Sequence, residues 1–387
     1  MKSLYFLTAL LQIVAIYAQN NCNPKFYQCG GQTWKGSNCC NPGLQCVKIN
    51  DYYSTCLPSS SSSNTSSNYN NNNYNTNYGN NNISNASNVQ NASSNSGPIG
   101  YASLNGGTTG GQGGQTYTVS NQSQLESAVK KNEAKIIIIN GIIKLTNDIT
   151  LNSNTSLIGA NKNSGITGAG LHFKNVKNII IQNLKFSYCV GNNKDCINAQ
   201  KSTNIWIDHC EFFNDRNHGK DYYDGLVDIT HACDYVTMSW CSLHDHYKVS
   251  LIGHSEKNAA EDTGKLHITY HHNYFKNVGS RLPSLRFGTG HVYNNVYENV
   301  ESSCVSIRMS AQALVENNVY RNAKRPISTN LDTPEEGYVI QRNNDFGNTA
   351  NTNSITKIGS LNTVPYKYTA DNTNSVYDII RNKAGPQ

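Results

Sequence analysis

Short apolar runs alternate with polar positions along the chain after Gly97, and the runs resemble one another. They are rich in β-branched and aromatic residues and are separated by Asn, Gly and Asp, a pattern typical of strands joined by turns. One amphipathic helix is predicted, from Ser123 to Lys131. The repeated runs are IIIQNLKF from Ile179, IWIDHCEF from Ile205, VTMSWCSL from Val236, ITYHHNYF from Ile268, VYNNVYEN from Val292 and LVENNVYR from Leu314.

The spacing of these runs predicts an all-β solenoid. A β-sandwich would contain similar strands but would not require a nearly constant period. The shortest steps approach one coil, and stacked coils bury equivalent side chains in interior rows. The longer steps indicate insertions, which are expected on the binding face. Steps of 26, 31, 32, 23 and 23 residues separate the positions taken as equivalent, namely Asn183, His209, Trp240, His272, Asn295 and Asn318.

Two stacked rows are expected from this alignment. Asn295 over Asn318 can form a hydrogen-bonded ladder, and Cys210 and Cys241 share one register, so they either stack or bond. The chain beyond Leu331 is expected to form a closing coil and a cap.

The start of the chain has a different pattern. Lys2, an apolar run from Leu4 to Ile16 and a cut after Ala18 predict a signal peptide over residues 1–18. The run is too short to span a bilayer. We therefore expect a secreted, extracellular monomer with no membrane partner, in an oxidising compartment where the 12 cysteines can pair.

Residues 58–97 are almost entirely Ser, Asn, Thr and Tyr, and this composition predicts a linker without a packed core. An Asn-rich aggregation-prone tract is the compositional alternative. Asparagines in glycosylation sequons would carry sugar on such an exposed segment, and they are Asn64, Asn82, Asn85 and Asn91.

Residues 22–57 contain six cysteines, Cys22, Cys29, Cys39, Cys40, Cys46 and Cys56, in a segment too short to fold on an apolar core alone. Six cysteines allow 15 pairings, and spacing does not choose among them. The segment CNPKFYQCGGQTWKGSNCCNPGLQCVKINDYYSTCL resembles the family 1 carbohydrate-binding modules of fungal cellulases over its whole length. A generic disulfide knot, such as a toxin or inhibitor, is the alternative.

The resemblance implies a cellulose-binding module. It implies the pairs Cys22 with Cys39, Cys29 with Cys46, and Cys40 with Cys56. Flat aromatic rings match the flat C–H faces of glucan chains. The family's flat-face positions are occupied by Phe26, Tyr52 and Tyr53, and Tyr27 competes with Phe26 for the first of them.

The formal charge of +6 favours an acidic partner, and secretion makes an acidic polysaccharide the preferred one. No Lys/Arg-rich run that would track a phosphate backbone is present, so nucleic acid is not expected as a partner.

Charged residues concentrate between strands in three segments, KDCINA at Lys194, DGLVDITHACDYVTMSW at Asp224 and SRLPSLRFG at Ser280. Asp195, Asp224 and Asp228 could together offer carboxylate oxygens to a hard cation such as Ca²⁺. The basic residues Lys248, Arg281 and Arg286 could neutralise acidic sugars. Taken singly, each Asp is more simply a turn residue and each cation a solvated side chain.

The same segments resemble the pectate lyases of polysaccharide lyase family 1. The resemblance runs from about Gly100 to Asn330 and includes WIDH at Trp206, DHYKVSLIGHS at Asp245, YHHNYFKNVGSRLPSLRFG at Tyr270 and HVYNN at His291. It implies a right-handed parallel β-helix over residues 98–387, with a small disulfide-rich β module before it.

The resemblance also implies roles. Asp195, Asp224 and Asp228 would bind calcium, Arg281 would be the catalytic base, and Lys248 and Arg286 would bind substrate carboxylates. Asn193 stands where some members have a further Asp, and could offer an amide oxygen instead. Asp208 and His209 of WIDH are interpreted as structural.

The implied activity is calcium-dependent β-elimination of polygalacturonate. Pectin lyase is the nearest alternative, but it is expected to lack the three aspartates. A hydrolase would use paired carboxylates and has no use for the Arg281 to Arg286 motif. A non-catalytic wall-binding protein would be expected to lose Asp224, Lys248 or Arg281. The remaining cysteines lack CxxC spacing, so zinc is not expected; they are Cys189, Cys196, Cys210, Cys233, Cys241 and Cys304.

Overall fold

The computed structural model of the protein divides into two compact units, an amino-terminal one and a larger one that holds the rest of the chain. The expected signal peptide, the glycosylation sequons and the rings of Phe26, Tyr27 and Tyr52 lie outside the described residues, and of Tyr53 only the backbone is described. The described residues are 22, 23, 28–30, 32, 34, 36–50, 53–58 and 97–387.

The amino-terminal unit is a three-stranded antiparallel sheet fastened by disulfides. Its strands are β1 (Gln28–Gly30), β2 (Leu44–Asn50) and β3 (Tyr53–Pro58), in the order β1-β3-β2. The disulfides join Cys22 to Cys39, Cys29 to Cys46 and Cys40 to Cys56, the same three pairs that the resemblance implies. Where side chains are described in this unit, only cysteines are buried, so cross-linking takes the place of an apolar core.

The larger unit is a parallel β-helix, as predicted, in which each full coil contributes one strand to each of three sheets. Sheet A has eight strands, sheet B has ten and sheet C has eight, and all their pairings between coils are parallel.

The strand bounds follow in chain order within each sheet. Sheet A consists of β7 (Ile149–Thr150), β10 (Leu171–Lys174), β13 (Ile197–Gln200), β16 (Val227–Thr230), β19 (Leu251–Ile252), β22 (Ser284–Arg286), β25 (Val305–Arg308) and β28 (Ile327–Ser328). Sheet B consists of β4 (Gln115–Val119), β5 (Lys135–Ile139), β8 (Thr155–Gly159), β11 (Lys177–Gln182), β14 (Thr203–Asp208), β17 (Asp234–Ser239), β20 (His267–His271), β23 (Thr289–Tyr293), β26 (Gln312–Glu316) and β29 (Tyr338–Arg342). Sheet C consists of β6 (Ile142–Lys144), β9 (Gly165–Thr167), β12 (Lys185–Ser187), β15 (Glu211–Phe213), β18 (Ser242–Lys248), β21 (Tyr274–Ser280), β24 (Val296–Val300) and β27 (Val319–Ala323).

Stacked side chains fill the interior because parallel pairing places the same position of each coil over the next. Ile179 lies over Ile205, which lies over Val236, and all three are fully buried. Aromatic rings stack in the same way. Phe275 and Tyr297 have centroids 5.1 Å apart with planes 3° from parallel, and Tyr297 continues onto Tyr320 at 4.7 Å. Such a core needs close lateral fit at each step.

A buried ladder of asparagine amides crosses the coils, as predicted. The Nδ2 of Asn273 donates to Asn295 Oδ1, the Nδ2 of Asn295 donates to Asn318 Oδ1, and the Nδ2 of Asn318 donates to Asn344 Oδ1, each at 3.0 Å. The Nδ2 of Asn295 also donates to the carbonyl oxygens of Tyr270 and Tyr293 at 2.9 and 3.0 Å. The ladder therefore satisfies backbone groups as well as its own amides.

The predicted alignment was wrong by one residue in the last two coils. Register pairs His271 with Tyr293 and Tyr293 with Glu316, so the equivalents of His272 are Asn294 and Asn317 rather than Asn295 and Asn318. His272, Asn294 and Asn317 share a left-handed backbone, with φ of 58°, 51° and 53°. Asparagine is favoured both in this left-handed conformation and in the amide ladder. Because Asn294 and Asn295 are adjacent, the sequence did not show which of them is equivalent to His272.

Cys210 and Cys241 occupy one register and are buried free thiols rather than a disulfide. The helix predicted at 123–131 is α1 (Gln122–Val129), and the Asn121 side chain caps it by accepting from the Gln124 N–H. The other helices among the described residues are α2 (Ala259–Asp262) and α3 (Thr373–Lys383), with 3-10 turns at Tyr101–Ser103 and Gly347–Thr352.

The tail after Leu331 only partly matches the expected closing coil and cap. β29 is the last strand of sheet B, as a closing coil would be. Helix α3, however, packs Val376 and Ile380 against Val296 and Val319 on the outer side of sheet C. The chain after α3 then runs back along the coils. At its end the Gln387 N–H donates to Asn183 Oδ1, in an earlier coil, at 2.6 Å.

Replacing Asn295 by Ala should lower the free energy of unfolding by about 3 kcal/mol, since it leaves buried amide and carbonyl groups of neighbouring coils without partners. Denaturant unfolding monitored by circular dichroism measures this change. The control is Asn374→Ala on the exposed face of α3, which should change stability by less than about 0.5 kcal/mol. Equal effects of the two substitutions would contradict a structural role for the ladder.

Candidate active site

A cleft of about 570 Å³ runs along the outside of sheet A, where basic side chains from successive coils converge. Arg286 lies at the end of β22 and Arg308 at the end of β25, directly paired in register. Lys248 ends β18, and Arg281 lies between β21 and β22. The structure therefore brings together the three basic residues predicted from sequence and adds Arg308.

Two of the three predicted calcium ligands form the buried part of an acidic cluster beside this cleft. Asp195 precedes β13 and Asp228 lies within β16, and their exposed fractions are only 4% and 6%. Asp195 Oδ1 accepts from the Gly225 N–H at 2.7 Å, and Asp228 Oδ1 accepts from the Leu251 N–H at 3.0 Å. Backbone hydrogen bonds thus fix both carboxylates beside β13 and β16, two neighbouring inner strands of sheet A.

Gly225 creates the space that these carboxylates share. A Cβ at this position would lie 2.5 Å from Asp228 Oδ1 and 2.8 Å from Asp195 Oδ1. Both oxygens therefore point at one small volume that no side chain fills. All the donors around it are oxygens, as a calcium site requires, so the residues present fit a calcium ion.

Burial disfavours the charged forms of both carboxylates. Burial raises the pKa of Asp195 to about 6, against the hydrogen bonds from Asn198 and Gly225 that lower it. Burial raises the pKa of Asp228 well above its usual range, and the Asp195 carboxylate adds to the effect. Two buried carboxylates this close are unfavourable when both are charged and no cation lies between them.

The third predicted ligand, Asp224, is engaged elsewhere. Its Oδ1 accepts from Lys248 Nζ at 2.7 Å, and Lys248 Nζ also donates to Asp221 Oδ1 at 3.0 Å. Burial alone would lower the pKa of Lys248, but the two carboxylates raise it. Within the described residues, only Cys29, Cys40 and Cys56 bring three potential metal-ligand atoms within 4.8 Å of one another, and those sulfurs are in disulfides.

Asn193 is held by an acidic residue that the sequence analysis missed. Its Nδ2 donates to Asp148 Oδ2 at 2.9 Å, and its backbone N–H donates to the same oxygen at 3.0 Å. Asp148 Oδ1 also accepts from the Gly170 N–H at 3.0 Å. Asp148 precedes β7, in an earlier coil, and nothing in its local sequence sets it apart. The disulfide Cys189–Cys196 closes the loop that carries both Asn193 and Asp195.

Arg281 differs from Lys248, Arg286 and Arg308 because its guanidinium has no hydrogen-bond or ion-pair partner among the residues that the structure describes. Its backbone is fixed, since φ is 66° and its carbonyl accepts from the Ser250 N–H at 2.9 Å. The side chain is partly buried. Arg281 is thus a cation on a fixed backbone, with the carboxylates of Asp221 and Asp228 near enough to feel its charge but not in direct contact with it.

Arg286 and Arg308 are more deeply held. Arg286 Nη1 donates to the Gly253 carbonyl at 2.8 Å, and Arg308 Nη1 donates to the Asp332 carbonyl at 3.1 Å. The Nε of each is buried without a partner. Burial lowers the pKa of both, that of Arg308 to about 10, and the neighbouring guanidiniums contribute. Stacked cations of this kind are stabilised by an anionic ligand.

A sequence signal for Arg308 existed. The tripeptide Ser284-Leu285-Arg286 recurs one coil later as Ser306-Ile307-Arg308, and register pairs the two. The repeat alignment, extended to sheet A, would have placed Arg308 beside Arg286.

Asp208 and His209 have structural contacts, in line with their interpretation from sequence. Asp208 accepts from Gln182 Nε2 at 2.8 Å and from the Ser239 hydroxyl at 2.6 Å, and it contacts His209 Nδ1 at 2.7 Å. These atoms belong to sheet B and not to the cleft on sheet A.

A parallel β-helix with arginines from successive coils in one external cleft, and a buried carboxylate pair beside that cleft, is typical of enzymes that act on acidic polysaccharides. The chain belongs to the pectate lyase family, because residues 85–387 match the family model described as pectate lyase. Residues 25–53 match the model described as fungal cellulose binding domain.

Curated relatives agree with this family. The chain is 44% identical to pectate lyase A of Emericella nidulans over 79% of this chain and 91% of that protein. It is 48% identical to a probable pectate lyase A of Aspergillus flavus over 74% of this chain and 87% of that one.

A solved structure is similar as well. The pectate lyase of Bacillus sp. N165, crystallised with trigalacturonate, is 31% identical with a TM-score of 0.67, over 75% of this chain and 99% of that chain. Among the residues that the structure describes, no helix has the length and apolarity needed to cross a membrane.

Replacing Asp195 by Asn should stabilise the chelator-treated protein at pH 8 by about 2 to 3 kcal/mol. The folded pKa of about 6 lies above the ordinary 3.8, so the folded state binds this proton more tightly. The contribution of Asp195 to the stability of the wild type therefore falls as pH rises from about 4 to 6, and the variant lacks this contribution.

Urea unfolding at pH 4 and pH 8 in chelator measures the difference between the two proteins. Asp378→Asn, on the exposed face of α3, is the control and should leave the pH dependence unchanged. A variant less stable than wild type at pH 8 would contradict unfavourable burial of Asp195.

Proposed function

We propose that the protein is a secreted pectate lyase that cleaves α-1,4-linked polygalacturonan by calcium-dependent β-elimination. One observation carries the proposal: an unpaired Arg281 guanidinium lies in one cleft with the Arg286 and Arg308 pair and beside the Asp195 and Asp228 carboxylates. The trigalacturonate bound in the related Bacillus structure supports the substrate class.

The proposed organisation assigns residues 1–18 to a signal peptide, 22–57 to a cellulose-binding module, 58–97 to a linker and 98–387 to the lyase. Phe26, Tyr27, Tyr52 and Tyr53 form the cellulose-binding face. The match of residues 25–53 to the fungal cellulose binding domain supports this part. Tethering to cellulose would raise the local concentration of the lyase on intact plant cell walls.

The chemical difficulty of the reaction is removal of the proton on carbon 5, which is adjacent to a negatively charged carboxylate. Lys248, Arg286 and Arg308 would bind carboxylates of the chain and reduce this charge. Asp195, Asp224 and Asp228 would hold calcium, with Asn193 able to offer its amide oxygen. When bound, calcium supplies further positive charge to the substrate carboxylate.

Arg281 would accept the carbon 5 proton. The electron pair of the C–H bond forms the double bond between carbons 4 and 5, and the bond from carbon 4 to the glycosidic oxygen breaks. The leaving oxygen keeps the electron pair of the broken carbon–oxygen bond and takes a proton from solvent. The products are a new reducing end and an unsaturated galacturonate at the new non-reducing end.

Lyase activity should appear as ultraviolet absorbance of the unsaturated product when polygalacturonate and calcium are present, and chelator should abolish it. Arg281→Ala should lower kcat by about 100-fold or more, the contribution of a general base. Because a guanidinium ordinarily keeps its proton, the rate should rise into the alkaline range.

The control is Arg321→Ala. Arg321 lies in β27 of sheet C, outside the cleft, and its guanidinium pairs with Asp345. Its rate should stay close to that of wild type. A maximum rate at acidic pH would contradict an arginine base, and a chelator-insensitive rise in absorbance would indicate a pectin lyase instead.

Gly225→Ala should weaken calcium binding by at least about tenfold, because its Cβ would occupy the volume between Asp195 and Asp228. Gly219→Ala is the matched control in the same loop, where an added Cβ would have no atom within 4 Å. Calorimetric titration with Ca²⁺ measures both affinities, and melting temperatures check that each variant folds. Unchanged affinity in Gly225→Ala would place the ion elsewhere.

A further inference from the structure

The ammonium of Lys248 is held by two carboxylates that differ in their surroundings. Asp224 is a proposed calcium ligand, whereas Asp221 has no such role. The Asp221 side chain is 73% exposed and lines the cleft, and Lys248 is its one hydrogen-bond partner in the described part of the chain. The Lys248 side chain is only 18% exposed. Lys248 is therefore a fixed cation, and Asp221 is an accessible anion placed on it.

The loop that carries Asp221 is fixed at both ends. Asp224 N–H donates to the Lys194 carbonyl at 2.9 Å, and the Asp224 carbonyl lies 2.9 Å from His246 Nε2. At the other end, Asp215 accepts from the Tyr223 hydroxyl at 2.8 Å. The Asp221–Lys248 contact at 3.0 Å is thus made from an anchored loop.

A carboxylate of an acidic sugar chain is chemically equivalent to the Asp221 side chain as a partner for Lys248. An ammonium has three N–H donors, and two of them are engaged by Asp221 and Asp224. A substrate carboxylate must either replace one of these acceptors or share the ammonium with both. The exposed one is the easier to replace, since a largely solvated ion pair contributes little.

We propose that Asp221 sets the affinity of the cleft for acidic chains by occupying the place of a substrate carboxylate on Lys248. Binding of an acidic chain displaces Asp221, and return of Asp221 favours release of the charged product. A methyl-esterified chain has no carboxylate to exchange, so its binding does not depend on Asp221. This inference rests on the proposed function, because it uses Lys248 as a substrate contact.

The test measures binding of a galacturonate trimer to the full chain by calorimetry, with calcium present and in an Arg281→Ala background that prevents cleavage. Asp221→Asn should lower the Kd for the trimer by roughly two- to fivefold. The gain should shrink at high salt, because the competing pair is exposed. Binding of the fully methyl-esterified trimer should not change.

Two further variants separate this role from a general change of charge. Asp332→Asn removes the same charge from another exposed residue that lines the cleft. It should tighten binding less than Asp221→Asn does. In a Lys248→Met background, Asp221→Asn should give no gain, because the cation for which the two carboxylates compete is absent.

Weaker binding of the trimer by Asp221→Asn would overturn the proposal and make Asp221 itself a contact to substrate or to a bridging cation. An unchanged Kd, an equal effect of Asp332→Asn, or a gain that persists without Lys248 would overturn it as well. The ultraviolet absorbance assay of lyase activity is run on the wild type in parallel. No activity in that assay would contradict the proposed function itself, independently of the result for Asp221.

Discussion

Backbone pairing between successive coils is the constraint on which the rest of this structure depends. Because each pairing is parallel and in register, any position in one coil lies over the same position in the next. The interior must then repeat apolar or self-pairing side chains, which explains the aromatic stacks and the amide ladder. The exterior can repeat a functional side chain in the same way, since Arg308 lies one coil after Arg286 and in register with it.

Register also concentrates like charges, and this shapes the cleft. Asp195 and Asp228 are buried close together, and Arg286 is paired in register with Arg308, so like charges face each other in both sets. Glu256, 3.8 Å from Arg286 Nη2, offsets only part of the positive charge. Lys248 joins the two regions, since it neutralises Asp224 on the acidic side while facing the basic cleft. A cation bound by the aspartates and a polyanion bound by the arginines would neutralise both sets. Acidic pectin is such a polyanion.

Much of the fold was predictable because its period is visible in the sequence. The stacked strands, the Asn295 to Asn318 contact and the shared register of Cys210 and Cys241 followed from repeated runs. The one-residue slip at Asn294 arose because neighbouring asparagines suit both the left-handed turn and the ladder. The course of α3 along the side of the coils depends on contacts with Val296 and Val319, which local pattern does not reveal.

The candidate site was predictable where chemistry concentrates in one segment and unpredictable where it is assembled across coils. Asp224, Asp228, Arg281 and Arg286 lie in dense charged motifs, whereas Asp148 reaches Asn193 from 45 residues away. The cellulose-facing rings were assigned by resemblance alone, since no spacing rule distinguishes them from other exposed aromatics.

Part of the candidate site of this β-helix lies where the chain departs from the repeat period. The step from His209 to Trp240 is longer than the steps after His272, and its extra residues form the loop that ends at Asp224. Such an insertion must leave the stack after β15 and rejoin it at β16, so its two ends are fixed by register while its middle lies outside the coils. The contacts of Asp215 and of the Asp224 backbone then turn that middle toward Lys248. A regular coil could supply the row of arginines, but only an inserted loop could bring carboxylates over a cation of the same cleft.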